Sequence, residues 1–245
     1  MKPWKIILRK NKYPSFALRR IKNYVRIFSM IISRQKPSEE ILIFLRDYKN
    51  IFLLGCGDCA TACKSGGQAE VEQMAVLLEG AGKTVTGYCV PSAPCIAAKL
   101  KAETAKKIGD LRRSEAVLVL ACGLGVQSFK DNDRFDLAVF PALDTLSGAV
   151  MDGQGNFLEK CSMCGECVLG ETAGICPVTL CPKGMLNGPC GGVIRGKCEA
   201  DTENDCVWIK IYEELNRKKQ QKNLKKIYGP KDFKKSARPH RLIMK

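Results

Sequence analysis

The sequence predicts an α/β fold: a doubly wound parallel sheet of flavodoxin-like type, followed by a small, irregular, cysteine-rich domain. Two observations carry this expectation. Between Ile51 and Leu143, short apolar runs alternate with longer segments whose apolar residues recur at helical spacing. From Gly148 that periodicity stops, and glycine, proline and cysteine dominate as far as Cys206. The shifts divide the chain into a basic extension (1–48), an α/β domain (49–150), a cysteine-rich domain with a closing helix (151–215) and a basic tail (216–245).

The elements follow in order. YVRIFSMII, from Tyr24 to Ile32, reads as a short amphipathic helix. IFLLG (51–55) is a buried strand, and GGQAEVEQMAVLLEGAG (66–82) is a helix with a glycine stop. KTVTGY (83–88) gives a second strand and CIAAKLKAETAKKIGDL (95–111) a second helix. AVLVLACG (116–123) and DLAVFPAL (136–143) supply two more strands. After the irregular stretch, CVWIKIYEELNRKKQQKNLKK (206–226) closes the fold as a helix that fades into the tail.

Charge is unevenly spread. The net charge is +15, yet residues 1–36 hold 11 Lys/Arg and no acid, and residues 216–245 hold 12 Lys/Arg against Asp232 alone. Residues 37–215 between them carry a net charge of −7. An acidic body with two basic arms, poor in aromatics for base stacking, argues against specific nucleic-acid recognition. No apolar run approaches the ~20 residues that span a bilayer, and charges interrupt the N-terminal apolar stretches. The expected location is therefore the cytoplasm, where thiols stay reduced and clustered cysteines more often hold metal than form disulfides.

The chain has 14 cysteines. GCGDCATAC places Cys56, Cys59 and Cys63 directly after the first strand, at the carboxyl edge where open α/β sheets bind ligands. Three thiolates on a glycine-flanked turn can hold three irons of a [4Fe–4S] cluster, and a fourth ligand must come from elsewhere. Cys95 and Cys122 both lie at that edge, with Cys122 preferred because it leaves its strand as directly as Cys56 does. Cys89 reads as a small buried hydrophobe. The second group, CSMCGEC, gives Cys161, Cys164 and Cys167 with ferredoxin-like spacing, but Cys176-Pro177 follows after eight residues where a ferredoxin run has three. Cys181, Cys190, Cys198 and Cys206 bring the set to eight thiols, enough for two tetrads. Metal in this domain replaces the core that its composition cannot build. Two [4Fe–4S] clusters are expected, or three, with zinc the alternative in the second of these tetrads. The only histidine, His240, lies in the tail, so a His-dependent catalytic arrangement has no support.

The run from Cys161 through CGECVLGETAGICPVTLCPKGMLNGPCGG, then GKCEA and DCVWIKIYEEL, resembles the cysteine-rich C-terminal family of methylenetetrahydrofolate reductases. That family is the small iron–sulfur subunit of anaerobic methylenetetrahydrofolate reductase. GCGDCATAC, the GG-x-x-E-V helix and ACGLGVQ are similar to it as well, so the resemblance spans about residues 50–215. It implies an electron-transfer subunit of one-carbon metabolism, working beside a flavin-containing catalytic subunit that this chain lacks. The two basic arms could steer ferredoxin or another acidic electron carrier, with solvated tails the alternative. The chain itself shows no G-x-G-x-x-G after a strand and no Walker sequence, and the glycines of ACGLGVQ and GPCGG read as turns around a cluster. The alternative is a zinc-binding protein, either nucleic-acid-associated or a scaffold.

Overall fold

Residues 30–236 and 239 are described in a computed structural model of the chain. The elements are β1 (Met30–Gln35), α1 (Ser38–Phe44), β2 (Asn50–Leu54), α2 (Cys59–Ala62), α3 (Gln68–Gly80), β3 (Thr84–Cys89), α4 (Ala97–Ala105), α5 (Ile108–Arg112), β4 (Ala116–Val119), α6 (Gly123–Asn132) and β5 (Ala138–Pro141). They continue with β6 (Leu143–Met151), β7 (Phe157–Glu159), α7 (Pro177–Leu180), β8 (Val193–Ile194), β9 (Lys197–Cys198), β10 (Asp201–Asp205) and α8 (Val207–Arg217). Two 3₁₀ turns follow, at Gln221–Lys225 and Phe233–Ser236.

A four-stranded parallel sheet forms the centre, ordered β3-β2-β4-β5. Ile51, Phe52, Leu53 and Leu54 of β2 and all four residues of β4 are fully buried, as two-faced burial of a central parallel strand demands. The chain moves from β2 outward to β3 and then crosses back to β4. Right-handed crossovers therefore put α3 on one face and α4 to α6 on the other. Strand order reverses between β2 and β4, which makes their carboxyl ends a switch point.

A second sheet, β1-β6-β7, is antiparallel. It corrects the amphipathic-helix expectation at its far end: Met30–Ile32 pair with Ser147–Ala149 as a strand, and Tyr24–Ser29 lie outside the described residues. MIISRQ lacks the length for helical periodicity, and the partner strand, over a hundred residues away, decides its conformation. Ile41 and Leu45, from the segment expected to be a basic extension, are fully buried in the main core. ACGLGVQ also differs from expectation. Its glycines lie in the first turns of α6, with Cys122 at the N-cap, so this is a helix start and not a free turn. The helix expected over 95–111 breaks in two at Lys106–Lys107, where α4 closes on short i→i−3 bonds to Glu103 and Thr104.

The cysteine-rich segment has its own small core, in which Val207, Trp208, Ile211 and Leu215 of α8 pack with Cys181. Strands β8, β9 and β10 form a minor antiparallel sheet beside it. α8 stops at Arg217, short of the helix expected to Lys226, and the chain then runs back along the domain. Among the described residues no helix is long and apolar enough to cross a membrane.

Candidate functional site

Three loops meet at the carboxyl edge of the parallel sheet. After β2, Gly55 N donates to Cys89 O (2.9 Å) and Gly57 N to Pro91 O (2.8 Å), which fastens the Cys56 turn to the segment leading to Cys95. Cys56 N donates to Gly66 O (2.9 Å), and Thr61 Oγ1 to Cys56 O (2.7 Å), so the turn through α2 closes on itself. Gly66 lies against the end of β4, where a Cβ would collide with the Leu120 carbonyl. Leu120 is held in turn by its own bond to Leu54 O (2.7 Å), two residues before Cys122. The backbone thus gathers cysteines from three separate loops.

Their thiols sense one another. Burial pushes the Cys56, Cys59 and Cys95 thiols up, and charge on the Cys122 sulfur raises each of them further. Cys59 also feels Cys56, and Cys95 feels Cys59. Cys63, at the end of α2, donates to the Ile31 carbonyl of β1 at 3.5 Å, and the same carbonyl lies within bonding reach of Cys59. The edge therefore collects five thiols where the first group supplies three, and both candidates for a fourth ligand, Cys95 and Cys122, are neighbours. Cys89 stands apart: burial pushes its thiol up to about 12, which keeps it a neutral core residue.

The eight remaining cysteines fall into two sets. In the first, Met163 N donates to Cys161 Sγ (3.3 Å) and Cys164 Sγ to Glu166 O (3.6 Å). Thr179 at the start of α7 joins this turn to Cys176, because its hydroxyl accepts from Ser162 N (2.9 Å) and from Cys176 Sγ (3.6 Å). Cys167 follows three residues after Cys164 and is exposed. The Cys164 thiol is held below its ordinary value by its bond to the Glu166 backbone and, next, by the Lys231 ammonium, against the opposing effect of burial. In the second set, Cys181, Cys190, Cys198 and Cys206 line one cavity of about 20 Å³ with Pro182, Val193 and Trp208. Gly192 N points at Cys190 Sγ (3.4 Å), and the Trp208 indole donates to Met185 O (2.9 Å), anchoring the wall of the cavity. Among the described residues, no three His, Cys, Asp or Glu side chains converge closely enough to grip one ion.

Asp205 pins this second set together. Its carboxylate pairs with Lys197 of β9 (2.8 Å) and Lys210 of α8 (2.9 Å). Those bonds, Lys197 first, hold its carboxyl down to about 2 from an ordinary 3.8. The stabilisation is complete above the ordinary value and is lost as the pH falls through the folded one, so it disappears between about pH 4 and pH 2. Acid titration of Trp208 fluorescence should therefore show a transition in that window. Asp205→Asn, which has no carboxyl to protonate, should flatten it; an identical transition in both proteins would assign it to other groups. Asp205 is nevertheless exposed, and its partners lie eight residues before it and five after it. A wider groove of about 670 Å³, lined by Ala98, Ala102, Ile108, Phe129 and Arg134 among others, contains no cysteine.

Fold and site together define a thiol-rich α/β protein with cysteines at a sheet switch point and eight more in a minimally cored segment. Residues 140–234 match the family model described as methylene-tetrahydrofolate reductase C terminal, and over that span the resemblance read from the motifs holds. No curated protein and no solved structure matches the chain.

Proposed function

We propose that this chain is a cytoplasmic iron–sulfur subunit that exchanges electrons with a flavin-containing methylenetetrahydrofolate reductase. The observation that carries the reading is the placement of Cys56, Cys59, Cys63, Cys95 and Cys122 on loops at one edge of a four-stranded parallel sheet, in a chain whose next segment matches the reductase family. The residues fit a cluster in number and chemistry: sulfur donors only, on loops whose backbone is fixed by hydrogen bonds. A bound [4Fe–4S] cluster would supply one-electron transfer, which a flavin on the partner converts to two-electron chemistry. Buried thiols of raised pKa give up their protons when a cation binds them, so loading the site releases protons. Cys161, Cys164, Cys167 and Cys176 form the set for a second cluster. Cys181, Cys190, Cys198 and Cys206 line one cavity and form the set for a structural zinc or a further cluster. The sheet-edge thiols and the eight cysteines from Cys161 to Cys206 are then two metal-bearing regions, and a ferredoxin-type carrier is a donor that basic arms would attract.

Metal and sulfide analysis of protein purified without oxygen tests this. Two clusters correspond to about eight irons per chain. Cys59→Ala should remove about half of them and leave the C-terminal site loaded. Folate reduction should require the flavoprotein. A colourless, zinc-only protein would overturn the proposal, as would folate turnover by this chain alone.

A further inference from the structure

Residues 226–235 of the basic tail stay mostly exposed, yet the tail does not leave the body. It returns over the cysteine-rich segment and is attached at three levels. Lys226 pairs with Glu171 (2.6 Å); Asn187 exchanges two bonds with the Tyr228 backbone (2.8 and 2.9 Å); and Glu166 receives both Asp232 N (3.1 Å) and Lys235 Nζ (2.8 Å). At the last level the approach is so close that Gly165, in the left-handed region at φ 75, has no room for a Cβ beside the Lys235 carbonyl. The Glu166 carbonyl oxygen is shared: it accepts the Lys231 ammonium at 2.6 Å and the Cys164 thiol at 3.6 Å. A lysine from the far end of the chain is thus seated beside the sulfur at the middle of C-x2-C-x2-C.

We propose that the tail is an electrostatic strap on the Cys161–Cys167 loop, with Lys231 a positioning residue that sets a fixed positive charge against the Cys164 sulfur and Glu166 the latch that keeps it there. The strap rests on the electron-transfer reading only for its consequence, not for its existence. A cation fixed beside a metal–thiolate group favours the reduced, more negative form, so it raises the reduction potential of whatever this loop holds. The ordinary alternative is a tail that docks only to bury surface. That alternative predicts no effect of the lysine's charge once its aliphatic stem is kept.

Lys231→Met keeps the stem and removes the charge; Lys231→Arg keeps the charge. In the full chain loaded with iron and sulfide, a redox titration followed by electron paramagnetic resonance should place the C-terminal signal of Lys231→Met lower. The expected shift is about tenfold in the redox equilibrium, some 59 mV for one electron, with Lys231→Arg close to the parent. In the chelated full chain, the rate at Cys164 with anionic iodoacetate, divided by that with neutral iodoacetamide, should fall at least threefold in Lys231→Met and recover in Lys231→Arg. The neutral reagent corrects for exposure and thiol acidity. Glu166→Gln, which weakens the latch, should lower the ratio partway. A parent that takes up no iron would sink the electron-transfer reading and leave the alkylation ratio to decide the strap. An unchanged ratio in Lys231→Met would overturn the strap whatever the metal content.

Discussion

Gly66→Ala should disable the N-terminal thiol site and destabilise the whole α/β sheet, by about 3 kcal/mol on the scale of forced overpacking. The new methyl would meet the Leu120 carbonyl, which cannot yield, because Leu120 is fully buried and its own amide is bonded to Leu54 O at 2.7 Å. Relief has to come from the other side, by moving the 56–66 turn outward. That movement strains the Cys56 N to Gly66 O bond and carries Cys56 and Cys59 away from Cys122. Iron content should fall along with the denaturation midpoint. Gly80→Ala makes the control: nothing lies within 4 Å of a Cβ there, and the end of α3 gains helix propensity. Equal stability of the two variants would show that the Gly66 contact is not a constraint.

Trp208→Ala should make folding of the C-terminal segment depend on metal. Truncating a buried tryptophan costs about 3–5 kcal/mol. The cluster it leaves has Cys181, Val207, Ile211 and Leu215 as its buried members among the described residues, and the bond to Met185 O disappears with the indole. A core that small has little stability to spare. Metal at a thousandfold excess over its dissociation constant returns about 4.1 kcal/mol, enough to offset most of the loss. Hydrogen exchange across residues 176–217 should therefore look near-native in the loaded variant and unprotected after chelation. The sheet around β2 and β4 should keep its protection in both. Full protection of the chelated variant would show that this segment folds without metal.

Where the chain was legible and where it was not follows from the range of the forces involved. β2 and β4 could be read because burial on both faces writes itself as continuous apolar runs, and α3 because helical burial writes itself as a period. The half-buried edge strands β3 and β5 are legible from their place in the strand–helix alternation. β1 could not, because its conformation comes from pairing with β6. DTEND of β10 is polar and short, and only its register with β9 makes it a strand. α6 begins GLG, a poor helix start by propensity, and its helix is fixed by the loop packing around Cys122. For the thiols, spacing identified each group and the sheet edge for the first. Which distant cysteine completes a set depends on contacts such as Thr179 with Cys176, or on a shared cavity wall, and no local pattern records those.

The antiparallel sheet has a consequence for how far apart the two thiol regions lie. Met30 and Glu159 both stand opposite Ala149 on β6, so β1 and β7 run in the same direction on either side of it. One residue past Met30 is Ile31, whose carbonyl takes the Cys63 thiol; two residues past Glu159 is Cys161. Two strand spacings separate those backbones, roughly 10 Å. The Asp152–Asn156 turn, closed by the Asp152 carboxylate, doubles the chain back so that a cysteine loop distant in sequence returns level with the sheet-edge site. The hairpin is in effect a ruler between the two thiol regions. A single-residue insertion within Phe157–Glu159 would keep the span but turn the following residues to the opposite face of the sheet, changing how the two regions face each other while leaving each intact.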